Sequence, residues 1–117
     1  MDLLVETRPG QGCAVVEVHG DLDMATSPRL RESLQRLIDG GERQVVVDVT
    51  GVGFMDSSAL GALVIVFRAL LDVGGNLRLA GVQPAVRSVL SITSVDRAID
   101  AFDTVEAAEA VVMSTGG

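Results

Sequence analysis

Apolar positions change period several times along the chain, and each change marks an element. From 13 to 20 they alternate, with Ala14, Val16 and Val18 on one side and Cys13, Val15, Glu17 and His19 on the other. A period of two predicts a strand with one wetter face. Residues 3–8 form a shorter candidate strand, and Pro9-Gly10-Gln11-Gly12 supplies the turn that joins the two as a hairpin. The period then lengthens. Leu30, Leu34, Leu37 and Ile38 recur at helical spacing, with Arg29, Arg31 and Arg36 off the stripe. Ser27 is the expected N-cap, Pro28 the first helical residue, and Gly40-Gly41 the stop.

Beyond that helix, residues 44–49 are apolar at almost every position, which suits a strand covered on both faces. A second helix is expected from Ser57 to Val73, ended by Gly74-Gly75, and residues 76–80 alternate as a further strand. A third helix follows at 84–93, with Val86, Val89 and Leu90 inward, and a short strand at 98–102. Asp103 with Glu106 resembles a capping box for a last helix through Val112. Strands alternating with helices predict an α/β fold: one mixed sheet with right-handed crossovers and helices packed against it. The domain is expected to span 1–113, leaving 114–117 as a flexible C-terminal tail. Although residues 59–67 carry no charge, Arg68 and Asp72 interrupt the run well short of the roughly 20 apolar residues of a membrane span.

Composition narrows the function. The 117 residues carry a formal net charge of −7, and every basic residue is Arg. Such a chain repels phosphate backbones and anionic membranes, so a protein with a basic docking face is the better partner. The only aromatics are three Phe, too few for a base-stacking platform. Cys13 is the single cysteine, read as a small buried or edge thiol, and neither an intramolecular disulfide nor a cysteine metal cluster is available to it. The first six residues, Met1 to Glu6, lack a basic stretch and a long apolar run, so no signal peptide is expected and the cytoplasm is the expected compartment.

The informative stretch is Phe54-Met55-Asp56-Ser57-Ser58-Ala59-Leu60-Gly61. It leads from the covered strand, through a turn containing Gly51 and Gly53, directly into a helix. Asp56 is the natural N-cap, which puts Ser57 and Ser58 in the first turn. Free amides and the positive end of the helix dipole favour added negative charge there. On spacing alone two readings stay open: the serines only help to cap the helix, or one of them is modified.

This stretch resembles the phosphorylation motif of the anti-sigma factor antagonists of the STAS family, usually Asp-Ser-Ser-Gly-Leu-Gly after a strand. Gly20-Asp21-Leu22-Asp23 resembles that family's Gly-Glu-Leu-Asp, and Gly74-Gly75 followed by a strand and Pro84-Ala85-Val86 matches its middle region. The resemblance implies a single STAS-like domain without catalytic activity, metal or cofactor. Unphosphorylated, it would bind an anti-sigma factor that is a GHKL-type serine kinase and free the sigma factor. The kinase would phosphorylate Ser57 and thereby end binding, and a PP2C-type phosphatase would reset the switch. Asp21, Asp23, Asp56, Ser58, Ala59 and Gly61 would form the docking surface of a monomer or weak dimer. Three positions depart from the family pattern. Ala59 replaces a Gly and is expected to set a methyl in the partner's path, Gln83 replaces a capping Ser, and Ser94 replaces a Gly at a helix end.

Other chemistries fit less well. A serine hydrolase needs a base beside Ser57 and a Gly-x-Ser-x-Gly elbow, and the chain has one histidine, His19, and no such elbow. His19, on the strand face it shares with Glu17, reads as a solvent-facing side chain without the further ligands of a metal site. Asp21, Asp23, Asp48 and Asp56 resemble a magnesium or phosphoacceptor cluster, yet the lysine such a domain uses does not exist in this chain. Gly10, Gly12, Gly51 and Gly53 lack the Gly-Lys-Ser/Thr signature of a phosphate loop. The remaining rival is a STAS scaffold or sensor module, stressosome-like or ligand-binding, that acts on no anti-sigma kinase.

Overall fold

A computed structural model describes residues 3–114. The expected hairpin is present: β1 (Leu4–Pro9) and β2 (Ala14–His19) pair antiparallel, and the Gly10 N–H donates to the Cys13 carbonyl across the turn at 2.8 Å. From β2 onward the chain alternates: α1 (Ser27–Asp39), β3 (Gln44–Gly51), α2 (Ser57–Asp72), β4 (Asn76–Ala80), α3 (Pro84–Ile92), β5 (Ala101–Phe102) and α4 (Val105–Ser114). The strands lie in the order β1-β2-β3-β4-β5, and every pair after the hairpin is parallel. This is the mixed-sheet α/β fold that the alternation predicts.

Strand order decides where the helices go. Parallel strands added always on the same side, each through a right-handed crossover, put every crossover helix on one face. The larger core lies on that face. Val16, Val18, Val45, Val47, Leu77 and Leu79 of the sheet meet Leu30 and Leu34 of α1, Leu63, Val66 and Leu70 of α2, and Val86 and Leu90 of α3. Each such side chain contributes roughly 1.5–3 kcal/mol on leaving water. Only α4 covers the other face, where Val15, Val46 and Ala80 meet Val105 and Ala108.

That second layer corrects the reading of β2. Val15, placed on the wetter side by its alternation, is fully buried, and only Glu17 and His19 keep that face wet. The same face buries Arg78, at 5% exposure, whose guanidinium Nη1 donates to the Gln44 side-chain carbonyl at 2.7 Å while its Nε has no hydrogen-bond partner among the described residues. Cys13 is half-buried at the start of β2, and burial first, then the nearby Glu109 carboxylate, push its thiol pKa up. It is an inert thiol by that measure.

Several helix ends differ from expectation, each for a local reason. Ser27 is the first residue of α1 and is buried, while Thr26 is the boundary residue and gives no side-chain cap. The Thr26 hydroxyl is used in the preceding loop instead, as described below. Thr104, not Asp103, caps α4, its hydroxyl accepting the Ala107 N–H at 3.1 Å. Asp103 pairs with Arg87 of α3 at 3.1 Å, so Asp103 and Glu106 form no capping box. Gln83 caps nothing with its side chain and donates to the Thr50 carbonyl at 2.8 Å. Ser94 follows α3 in the left-handed region (φ 63°), and a 3₁₀ turn, Val95–Arg97, comes next. That turn occupies most of the approach to β5, which is only two residues long instead of spanning 98–102. Ser114, expected in the tail, is still helical, and residues 115–117 lie outside the described residues. No helix of the described residues is long and apolar enough to cross a membrane.

Candidate functional site

Beyond the carboxyl ends of β2 and β3 the two chains continue side by side. The Gly20 N–H donates to the Gly51 carbonyl (3.1 Å), the Leu22 N–H to the Phe54 carbonyl (3.0 Å), and the Asp56 N–H to the Leu22 carbonyl (3.0 Å). Leu22 and Met55 form an isolated parallel bridge with both side chains buried. This short extension of the ladder clamps the acidic loop 20–26 against the segment that enters α2. Residues thirty positions apart in sequence therefore share one crest.

The loop is held from within. The Asp23 carboxylate accepts the backbone N–H groups of Ala25 (2.9 Å) and Thr26 (3.0 Å). The Thr26 hydroxyl accepts the Asp23 N–H (2.9 Å) and donates to the Asp21 carbonyl (2.7 Å). Hydrogen bonds from Thr26, above all its backbone N–H, and from Ala25 hold the Asp23 carboxyl below the usual carboxylate range. Asp23 is thus a turn-former. The Asp21 side chain makes no hydrogen bond or ion pair among the described residues and remains available to a partner.

On the α2 side Asp56 caps as expected. Its backbone is extended (φ −105°, ψ −177°) and its Oδ1 accepts the N–H groups of Ser58 (2.9 Å) and Ala59 (3.1 Å). Ser57 is the first helical residue and is exposed, whereas Ser58 is half-buried. Ala59 is fully buried and belongs to the larger core, so its methyl faces the sheet and cannot obstruct a partner. Helix geometry requires this: Ala59, Leu63, Val66 and Leu70 lie on one stripe. Gly61 is exposed on the opposite side, with nothing within 4 Å of where a Cβ would stand. Asp48 does not join the other aspartates, because β3 turns it to the α4 face, where its carboxylate accepts the Thr50 hydroxyl at 2.6 Å.

Three features of the crest have no role assigned from the sequence. Met24 (76% exposed) and Phe54 (51%) are large apolar side chains presented to solvent, Met24 two residues after Leu22 and Phe54 just before Met55 of the bridge. Their signal was an apolar residue inside an acidic loop and another beside glycines. From Ser57 an open groove of about 520 Å³ runs between α1 and α2, with Ser58, Gly61 and Ile65 on one wall and Pro28 and Arg31 on the other. Its existence depends on which helices are neighbours, and no local pattern reports that.

The STAS domain family model matches residues 4–108. The chain belongs to the STAS domain family. Over 93 residues it is 33% identical to the anti-sigma-B factor antagonist of Staphylococcus aureus, covering 80% of this chain and 86% of that relative. The anti-sigma factor antagonist structure from Mycobacterium paratuberculosis superposes with a TM-score of 0.88 at 23% identity, covering 96% of this chain and 95% of that one. The Bacillus cell fate determinant SpoIIAA in its phosphorylated form superposes with a TM-score of 0.70 at 21% identity, covering 92% and 99%. At these identities the structural likenesses speak for the fold.

Proposed function

We propose that this STAS domain is an anti-sigma factor antagonist without catalytic activity, switched by phosphorylation of Ser57. The carrying observation is that Ser57 is exposed at the head of α2 while the ladder extension clamps the acidic loop beside it. The name of a relative such as the Staphylococcus aureus anti-sigma-B factor antagonist supports the antagonist part of this reading. Asp21, Asp56, Ser58 and Gly61 surround Ser57 on the docking surface, Asp23 shapes it, and Met24 and Phe54 supply apolar anchors of the kind that dominate interface energies. The partner is an anti-sigma factor of the GHKL kinase type with a basic docking face, and a sigma factor is released when it binds.

In the switching step the Ser57 hydroxyl oxygen attacks the γ-phosphorus of the kinase's ATP. The Oγ–P bond forms, the bond to ADP breaks, and the hydroxyl proton passes to a base on the kinase. Hydrolysis of that ester by a PP2C-type phosphatase returns the hydroxyl and inorganic phosphate. The added phosphate carries about −1.5 to −2 charges. A partner carboxylate about 6 Å away would be repelled by roughly 1–5 kcal/mol, for effective dielectrics between water and a protein surface. Desolvation adds to this, so affinity should fall at least about tenfold while the fold survives.

The test is labelling with the cognate kinase followed by phosphopeptide mapping and binding measurements. Ser57→Ala should take up no phosphate and bind constitutively, Ser57→Asp should bind weakly, and Ser58→Ala should still be labelled. A label on Ser58, or a Ser57→Asp protein that binds as tightly as the parent, would overturn the assignment.

A further inference from the structure

Resting on that reading of Ser57, the groove between α1 and α2 says where the phosphate goes once attached. The first-turn amides cannot take it all. Those of Ser58 and Ala59 are occupied by the Asp56 carboxylate, which itself adds a negative charge beside Ser57. A phosphate on Ser57 therefore meets a helix start that is already capped, and it has to find a counter-charge elsewhere.

One basic side chain lines the groove into which Ser57 opens: Arg31, on the facing wall supplied by α1. Arg31 is exposed and makes no hydrogen bond or ion pair among the described residues. Its neighbours are all committed. Arg29 donates to the Leu3 carbonyl, Arg36 pairs with Glu32, and Arg43 donates to the carbonyls of Ile38 and Glu42. Because Glu32 is taken by Arg36, the one acidic residue of the groove leaves Arg31 unneutralised.

We propose that Arg31 is the counter-cation of phosphorylated Ser57, closing over the groove between α1 and α2 once the phosphate is in place. A guanidinium is suited to this because its fork presents paired N–H donors to phosphate oxygens. The phosphate then acts twice on binding. It adds repulsion at the crest, and it occupies an arginine and a groove that the unphosphorylated surface leaves open.

The experiment uses the full chain carrying phosphoserine at 57, installed during synthesis so that no kinase is needed, with the phosphate titrated by phosphorus NMR. One positive charge about 5 Å from the phosphate lowers its second pKa by roughly half a unit even in water. The second pKa, ordinarily about 6, should thus be higher by about that amount in Arg31→Gln than in the parent. Arg31→Lys should restore part of the difference. Arg68→Gln, removing another exposed arginine that lies outside the groove and is unpaired among the described residues, should change nothing. Equal titration midpoints in the parent and Arg31→Gln would overturn the proposal, as would an equal change in Arg68→Gln. Failure of the cognate kinase to label Ser57 would instead overturn the switch and leave this titration unaffected.

Discussion

Two aspartates two positions apart in one loop do different work, and the difference lies in what their side chains already hold. Asp23 accepts two backbone N–H groups and fixes the turn, while Asp21 contributes only its backbone carbonyl to that turn. Asp21→Ala should weaken anti-sigma binding with an unchanged thermal midpoint. Asp23→Ala should weaken binding and also lower the midpoint, because the Ala25 N–H it releases loses its acceptor and the Thr26 N–H keeps only a longer bond to the Asp23 carbonyl, at 3.3 Å. The pH dependence follows from the depressed Asp23 carboxyl. Its contribution to stability is fully present above the unfolded carboxylate pKa, about 3.9, and fades as pH falls through the lower folded value. The midpoint gap between parent and Asp23→Ala should therefore persist at neutral pH and narrow below about pH 4. Thermal melts of both variants beside calorimetric binding check this, and an Asp23→Ala protein that melts like the parent would show the turn to be held by Thr26 alone.

At the scale of the element, α2 carries a glycine that packing does not require. Gly61 sits inside the helix, where Gly costs about 0.8–1 kcal/mol relative to Ala, and a Cβ there would meet open space. Gly61→Ala should raise the stability of the free domain by up to about 1 kcal/mol. It should also weaken partner binding about tenfold, or roughly 1.4 kcal/mol, if a partner backbone approaches this wall of the groove. Denaturant midpoints and titration calorimetry separate the two effects, and unchanged affinity would place the partner elsewhere on α2. Elements were the most legible part of the sequence, because apolar period reports the buried face of a single helix or strand. The position of Ala59 was legible in the same way, since it keeps the stripe of Leu63, Val66 and Leu70. The partner-facing role that the motif resemblance implies for Ala59 runs against that stripe. Caps were less legible: whether Asp103 caps α4 depends on Arg87, which arrives from another helix. The groove was not legible at all, because strand order, not local pattern, makes α1 and α2 neighbours.

Across the whole molecule the sheet is unequally covered, and this predicts where it opens first. Three helices share one face and its large core, while α4 alone covers the other with Val105 and Ala108. Those small side chains return a limited burial energy, roughly 25 cal/mol per Å² of apolar surface. Releasing the ten residues of α4 regains backbone entropy of about 1–2 kcal/mol for each. Detaching α4 should therefore cost less than global unfolding, and its removal exposes Val15 and Val46 while leaving the larger core intact. Ser57 and its groove lie on the face of α1 and α2, so this opening should leave the proposed docking surface assembled. Native-state hydrogen exchange at low denaturant should show α4 amides exchanging with a smaller opening free energy than those of β3. Val105→Ala should widen that gap, since it weakens the contact between α4 and the sheet without touching the helices opposite. The same variant should keep the parent's partner affinity. If α4 and β3 amides instead exchange through one common opening, the two faces form a single cooperative unit and the thin cover is no weak point.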